Sequence, residues 1–312
     1  MTSDPPDNTP STLDFTGERF VPEIEADFAG DITTEHLHRY LVARELASGK
    51  VVLDIACGEG YGSAMLAGVG SRVIGVDISE EAVAHARSKY ANENLEFLEG
   101  RADEIPLPEG SVDLVVSFET IEHHDKHAEM IAEIHRVLRP EGLLIISSPD
   151  KREYSDVPGY SNPFHIKELY LEEFATLLGQ HFRNVAILGQ RICYGSVIAS
   201  DQAGEAFSSF VEQGGAFTRE GGIPRPIYFV AVAANDRLPV LGPSFYEVNV
   251  QRSAAVRQWA AKVSACDQAL AERDQQLTVR DQQLRELRES TSWRVTKPLR
   301  WISREIRRLL QR

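Results

Sequence analysis

Three residues that could do chemistry stand close together near the middle of the chain. Glu119, Glu122 and His123 form an E-x-x-E-H block directly after an apolar run. Two carboxylates and an imidazole at this spacing can hold a divalent cation such as Mg²⁺ or Mn²⁺. His123 can instead act as a general base on an acceptor hydroxyl, because histidine titrates near neutrality. A third interpretation is that Glu122 and His123 only cap the next helix.

A second block has the spacing G-x-G-x-G, formed by Gly58, Gly60 and Gly62, with Asp54 four residues before the first glycine. It follows a short apolar run and precedes a helical pattern, which predicts a strand, a tight turn and a helix. The spacing differs from the G-x-G-x-x-G of dinucleotide sites, and the charge of Glu59 would repel a pyrophosphate. We expect a ligand with a cationic end and an amino-acid group; the alternative is a helix-capping turn without a ligand.

The block D-x-A-C-G-E-G-x-G that starts at Asp54 resembles motif I of class I S-adenosylmethionine (SAM) methyltransferases. The resemblance covers about residues 15–235. It implies a doubly wound, seven-stranded, mostly parallel, Rossmann-like sheet whose last strand is antiparallel. It also implies SAM as the cofactor, bound by the following residues: Arg39, Asp54, Ala56, Gly58, Gly60, Asp77, Ile78, Ala102, Asp103 and Phe118.

Some of these residues have a specific expected role. Asp77 ends the second apolar run, where a carboxylate can accept two hydrogen bonds from the vicinal diol of a ribose; the alternative is a helix-capping aspartate. The resemblance places Ile78 on the adenine and Asp103 on its amino group. It pairs Arg39 with the amino-acid carboxylate of the cofactor, although Arg39 could equally form a surface ion pair.

The candidate catalytic residues are His123, Glu122 and His165, and the candidate metal ligands are Glu119, Glu122 and His123. His165 follows the fifth expected strand and a loop rich in tyrosine and proline. Family members often carry a histidine there, beside the acceptor site. It could be a further metal ligand, a second base or only a helix cap.

The pattern along the chain predicts four segments. Residues 1–14 are expected to be disordered, and residues 15–240 to form the methyltransferase domain with an insertion or lid at 191–225. Residues 245–290 are expected to be helical. One apolar seam recurs there every seven residues from Val256 to Leu284, but the second seam is poor. A coiled coil that joins copies through residues 250–290 and a single solvated helix are both open. Residues 291–312 form a basic amphipathic tail.

The charge is unevenly distributed. The formal net charge is −14, yet the last 22 residues contain seven Lys or Arg and one acid. The acidic body argues against nucleic acid as the main partner. The tail predicts either contact with an anionic membrane surface or docking on a protein. Three scattered cysteines without a C-x-x-C pair, and a start without signal-peptide features, predict a cytoplasmic protein, peripheral to the inner face of the membrane if the tail binds lipid.

The expected activity is methylation of a sugar or glycan hydroxyl. This choice rests on flanking segments, because Glu18–Phe20, Glu35–Tyr40 and the S-x-S-W-R-x-T-x-P-L-R tail resemble those of bacterial polysaccharide and O-antigen proteins. One alternative is a small-molecule methyltransferase of the quinone or natural-product type. Another is a scaffold of a glycan-assembly complex that does no catalysis.

Overall fold

The computed structural model describes residues 30–193, 208–213, 216–247 and 254–310. The chain divides into two units, residues 1–248 and 249–312. The segment 1–14, expected to be disordered, lies outside the described residues, as does most of the first half of the 191–225 insertion.

The first unit contains nine strands among its described residues: Val51–Ile55 (β1), Arg72–Asp77 (β2), Leu95–Glu99 (β3), Val112–Ser117 (β4), Leu138–Pro149 (β5), Asn184–Gln190 (β6), Ser208–Gln213 (β7), Ala216–Gly221 (β8) and Tyr228–Ala234 (β9). Seven of them form one sheet with the order β3-β2-β1-β4-β5-β9-β6. The other two, β7 and β8, form a separate antiparallel hairpin within the predicted insertion.

Helices follow most of these strands, as the alternation of patterns predicts. They are Gly30–Ala47 (α1), Tyr61–Ala67 (α2), Glu80–Lys89 (α3), His127–Val137 (α4) and Leu171–Gly179 (α5). A 3-10 turn, Ile121–His123, follows β4, and a π-helical turn, Arg152–Asp156, follows β5.

Apolar side chains from both faces of the sheet are buried. On one face Leu53 and Ile74 pack with Ile131 and Phe174 from α4 and α5. On the other face, residues of β1 and β4 pack with those of α1 and α2. A parallel sheet covered on both sides is the architecture that near-continuous apolar strands require. The predicted fold class is therefore confirmed.

The final strand of the sheet is antiparallel, as expected. Val232 of β9 pairs with Ile145 of β5 on one side and with Ala186 of β6 on the other. Strands β1, β2, β4 and β5 run parallel, so their carboxyl ends open onto one edge, where ligands of doubly wound sheets bind.

The largest difference in element bounds concerns α4 and β5. The sequence predicts a helix to Arg139 and a strand from Leu143, but the structure has a helix to Val137 and a strand from Leu138. Pro140 lacks an amide hydrogen and cannot continue the helix, whereas the register shift between β4 and β5 accommodates it in an extended segment.

The second unit consists of helices over its described residues: Ala254–Glu289 (α6), Thr291–Val295 (α7) and Lys297–Leu310 (α8). The seven-residue seam on α6 is exposed; Val263 and Leu270 are 51% and 57% accessible. Pairing of two such helices therefore stays a prediction. None of the described helices is long and apolar enough to cross a membrane.

Candidate functional site

A cavity of about 460 Å³ lies beyond the carboxyl ends of β1, β2 and β4. This volume is within the usual range for small-molecule sites. Seven of the predicted cofactor residues line it: Ala56, Gly58, Asp77, Ile78, Ala102, Asp103 and Phe118. Three others, Arg39, Asp54 and Gly60, are not part of the lining.

The turn after β1 explains why its glycines are needed. Gly58 and Gly60 have φ angles of 57° and 94°, in the left-handed region that favours glycine. A Cβ on Gly60 would lie 2.8 Å from the Cβ of Ala86, and a Cβ on Gly62 would lie 2.0 Å from the ring of Tyr40. Gly60 and Gly62 therefore allow close packing behind the turn, and Gly58 alone of the three lines the cavity.

Asp77 is held by the backbone at the end of β2. Its Oδ2 accepts the N–H of Gly58 at 2.8 Å, and its Oδ1 accepts the N–H of Ser79 at 2.9 Å. Each carboxylate oxygen has a second lone pair for a vicinal diol. The neighbouring Ile78 is 64% exposed and offers an apolar surface to a planar base.

Asp54 acts behind the cavity wall. It is 1% exposed, and it accepts hydrogen bonds from Tyr40 Oη at 3.1 Å and Ser63 Oγ at 2.7 Å. Burial raises the pKa of Asp54 to about 7, against the effect of the two hydroxyl donors. Asp54 thus fixes Tyr40, which does line the cavity, and ties the start of α2 to β1.

Glu59 does not face the cavity, so the interpretation that its charge selects the ligand is wrong. Its carboxylate is 1% exposed and points to α3 and its end, where it meets Lys89 Nζ at 2.5 Å and Tyr90 Oη at 2.8 Å. His85 lies 3.2 Å from the same carboxylate. Its charge is therefore balanced inside the fold and cannot repel a bound phosphate.

Asp103 meets two cations at the rim of the cavity. Arg101 Nε lies 2.8 Å from Oδ1 and Lys126 Nζ lies 2.6 Å from Oδ2. These hydrogen bonds lower the pKa of Asp103, so the carboxylate is ionised. The predicted contact with an adenine amino group stays a prediction. Lys126 also lines the cavity, and no pattern in the sequence indicated it.

Arg39 is buried and already has partners. Its Nη1 donates to Glu119 Oε1 and to Gln190 Oε1, both at 3.2 Å, and its guanidinium lies 4.9 Å from the centre of the Tyr228 ring. The expected pairing with a cofactor carboxylate would require exchange of one of these contacts. It stays a prediction.

The E-x-x-E-H block forms the other end of the cavity. Glu119 has a φ of 49°, accepts a hydrogen bond from Ser147 Oγ at 2.6 Å and lines the cavity. His123 lines it too, and its Nδ1 lies 3.1 Å from the carbonyl oxygen of Phe164. A carbonyl only accepts, so Nδ1 carries the hydrogen and Nε2 the lone pair.

Glu122 stands behind His123. It is 1% exposed, and among the described residues neither side-chain oxygen has a hydrogen-bond partner. Burial, with help from the charge of Glu119, raises the pKa of Glu122 well above the usual range. Because neither oxygen of Glu122 accepts a hydrogen bond, the interpretation of Glu122 as a helix cap is wrong; for His123 it is not tested.

His165 lies beside this pair but outside the cavity lining. Its Nδ1 is 2.5 Å from Glu168 Oε1, and its Nε2 is 3.0 Å from Asn162 Nδ2. Its ring stacks on Tyr154, with 5.2 Å between the ring centres. Glu168 and Asn162 thus define one tautomer, with the hydrogen on Nδ1.

Comparison with known proteins identifies the family. Residues 53–146 match the family model described as a methyltransferase domain. A probable S-adenosylmethionine-dependent methyltransferase of Mycolicibacterium smegmatis is 40% identical over 178 residues, which are 56% of this chain and 67% of that protein. A probable S-adenosylmethionine-dependent methyltransferase of Mycobacterium tuberculosis is 39% identical, over 58% of this chain and 65% of that protein.

The chain belongs to the SAM-dependent methyltransferase family. The match spans about two thirds of the length of these mycobacterial relatives. A demethylmenaquinone methyltransferase of Chlorobaculum tepidum is 38% identical over 99 residues, 31% of this chain and 40% of that protein. A chain of the solved complex between the Haloferax volcanii Trm112 activator and a methyltransferase shares the fold, with a TM-score of 0.50, 18% identity and coverage of 70% of this chain and 98% of that chain.

The side chains that could bind a metal ion in this methyltransferase form a different cluster from the predicted one. Within the described residues, the ligand atoms of Glu122, His123 and His165 lie within 4.8 Å of one another. The predicted set was Glu119, Glu122 and His123, with His165 as a possible further ligand. Glu119 is instead engaged by Arg39 and Ser147. One carboxylate and two imidazoles suit Mn²⁺ better than Mg²⁺, which prefers oxygen ligands.

Proposed function

We propose that this methyltransferase transfers the methyl group of SAM in one in-line step to a hydroxyl oxygen of a sugar or glycan. The observation on which the proposal rests is the position and tautomer of His123. His123 lines the reactive end of the cavity, and its Nδ1–H is directed to the Phe164 carbonyl, which leaves Nε2 as the basic nitrogen of the ring. An acceptor hydroxyl must lose a proton as it attacks, and an imidazole is suited to take it.

The sulfonium of SAM makes the methyl carbon electrophilic, so the protein mainly positions the two reactants. The new O–C bond forms as the C–S bond breaks, and the hydroxyl proton moves to Nε2 of His123. Glu122 Oε1 lies 4.0 Å from that nitrogen and, when ionised, would stabilise the imidazolium.

A bound cation is a second possible partner for the side-chain oxygens of Glu122. Buried, unpartnered carboxylate oxygens are costly, and a metal held by Glu122, His123 and His165 would remove that cost while orienting acceptor oxygens. Nε2 of His165 would then exchange its hydrogen bond from Asn162 for the metal, and Glu168 on Nδ1 would serve as the outer partner that bound histidines usually have. The two possibilities differ in their response to EDTA.

The sugar acceptor is supported by the polar character of the reactive end, where Glu119, Thr120, His124 and Asp125 line the cavity with His123. The flanking segments 35–40 and 290–301 resemble those of glycan-assembly proteins and give it further support. A quinone-type acceptor is the second candidate. It is favoured by the relative from Chlorobaculum tepidum and by the exposed apolar residues Tyr160, Phe164 and Ile166 of the segment whose Phe164 carbonyl contacts His123.

The first test is calorimetric titration of the full chain with SAM, followed by methyl transfer to nucleotide sugars and oligosaccharides. His123→Asn should bind SAM as the wild type does and lose roughly 10²–10⁴-fold in kcat. His181→Asn changes a histidine outside the cavity and should leave kcat unchanged. No SAM binding by the wild type, or full turnover by His123→Asn, would refute the proposal.

A second series identifies the acceptor and the metal requirement. Menaquinone precursors are compared with the sugar acceptors, each with EDTA and after readdition of Mn²⁺ or Mg²⁺. If only the menaquinone precursors are methylated, the acceptor is of the quinone type and the sugar proposal is wrong. Activity that EDTA abolishes and Mn²⁺ restores supports the metal; unchanged activity leaves His123 as a metal-free base.

A further inference from the structure

The last helix of the chain has an exposed apolar face. Leu299, Ile302, Ile306, Leu309 and Leu310 of α8 are 68%, 48%, 52%, 73% and 81% accessible. At roughly 100° per residue they fall within an arc of about 120°. No described residue buries them, so this side of α8 presents a continuous apolar stripe to its surroundings.

The opposite side of α8 is cationic. It carries Lys297, Arg300, Arg304, Arg307 and Arg308, and the helix contains one acid, Glu305. Glu305 lies 3.7 Å from Arg308, an exposed pair that leaves most of the positive charge unbalanced. An apolar stripe beside a row of arginines is the pattern of helices that lie in a membrane interface.

Length and charge argue against two other functions of this stripe, crossing the membrane and pairing of two copies of α8. The 14 residues of α8 extend about 21 Å, which is short of the roughly 30 Å of a bilayer core. Pairing of two copies through α8 would bring two arginine-rich helices together over only about two heptads, fewer than a stable coiled coil needs. An anionic membrane surface meets neither difficulty, because α8 does not need to cross the bilayer and its arginines face negative charge.

We propose that α8 lies in the interface of an anionic phospholipid bilayer. The apolar stripe enters the boundary between headgroups and acyl chains. The long aliphatic part of each arginine side chain lets its guanidinium group extend to the headgroup region. There it binds lipid phosphates by charge-assisted hydrogen bonds. This attachment is independent of the methyl-transfer site, and it would hold the second unit at the membrane surface.

The test is flotation of the full chain with vesicles of phosphatidylcholine and phosphatidylglycerol in equal parts, compared with phosphatidylcholine alone. The anionic vesicles should bind at least about tenfold more tightly, and binding should weaken as salt rises. Changing Arg304, Arg307 and Arg308 to Gln should weaken binding on the order of a hundredfold.

A matched pair of variants tests the apolar stripe. Ile302→Ser with Ile306→Ser should weaken vesicle binding by at least about tenfold. Val263→Ser with Leu270→Ser removes equally exposed aliphatic side chains from α6 and should have no effect on binding. Circular dichroism of both double variants checks that the helices persist.

Three results would overturn the proposal: no flotation with anionic vesicles, equal binding to both vesicle types, or equal loss in the α6 and α8 double variants. If the chain does not bind vesicles but forms oligomers that are lost on substitution of Ile302 and Ile306, the partner of the apolar stripe is a second copy of the chain and not a lipid.

Discussion

Asp77 and Glu122 are both buried carboxylates, but Asp77 lines the cofactor end of the cavity, whereas Glu122 lies behind His123 at the reactive end. Asp77 accepts two backbone N–H groups at 2.8 Å and 2.9 Å, whereas neither oxygen of Glu122 has a partner among the described residues. The cofactor end is thus completed by local backbone before any ligand arrives. The reactive end depends on a proton, a cation or the substrate to complete it.

The largest expected effect concerns the completed end. Asp77→Ala would remove the acceptor for a ribose diol and leave the N–H groups of Gly58 and Ser79 without their partner. Because the ribose hydroxyls would lose two hydrogen bonds to the Asp77 carboxylate, SAM binding should weaken by at least about 100-fold in calorimetric titration. Glu99→Ala changes an exposed acid in register with Asp77 on β3 and should leave the affinity unchanged. A similar loss in both variants would indicate general damage to the sheet.

The glycine turn should respond through stability. Gly62→Ala places a Cβ 2.0 Å from the buried Tyr40 ring, and the ring cannot move away without breaking its hydrogen bond to Asp54. We expect the free energy of unfolding to fall by about 1–3 kcal/mol in urea titration. Gly179→Ala, at the end of α5 with nothing within 4 Å of the added Cβ, should be neutral or slightly stabilising. Equal stability of the two variants would contradict the tight packing at Gly62.

Glu59 separates the roles of two acids near the same turn. Glu59→Gln leaves Lys89 and Tyr90 without their carboxylate partner, and we expect a loss of about 1–3 kcal/mol in the free energy of unfolding. SAM affinity should not change, in contrast to Asp77→Ala. Glu96→Gln, which removes an exposed ion pair with Arg72, should cost less than about 1 kcal/mol. A reduced SAM affinity in Glu59→Gln would restore a ligand-facing role for that residue.

The same contrast explains which parts of the protein the sequence could predict. From short runs that are apolar or contain alternating apolar residues, the sequence predicts strands at Val51–Ile55, Arg72–Asp77 and Leu95–Glu99, and these are the observed bounds of β1, β2 and β3. The place of Asp77 at the end of β2 and its bond from the N–H of Ser79 are equally local, and only its bond from Gly58 spans 19 residues. These predictions use interactions between near neighbours in the chain.

The reactive end needs partners that are distant in sequence. His123 obtains its tautomer from Phe164, 41 residues away, and Arg39 is held by Gln190, 151 residues away. The motif alone does not give the direction of the Glu59 side chain, which packs against Lys89 and Tyr90 at the end of α3. Long-range packing decides such details, so they become visible only in the folded chain.

The smallest expected effect, and the most specific, concerns Glu122. Its pKa in the folded chain lies well above the usual value, so the native state keeps a proton that the unfolded chain loses as pH rises. Glu122 therefore favours folding at acidic pH and loses that contribution as pH rises above the ordinary glutamate range. Asp54, with a pKa of about 7, and Glu35, with a raised pKa, act in the same direction in wild type and variant, so their effects cancel in a comparison.

Glu122→Gln imitates the protonated acid and should match the wild-type Tm near pH 5. At pH 8 it should melt higher than the wild type, by roughly 2–4 °C for each kcal/mol gained. Glu141→Gln, an exposed control, should show no pH-dependent difference. Mn²⁺ should reverse the order at pH 8 if Glu122 is a ligand, because only the wild type can bind it. A Tm difference that is constant from pH 5 to pH 8 without metal would show that Glu122 is ionised throughout, and that the reactive end is as complete as the cofactor end.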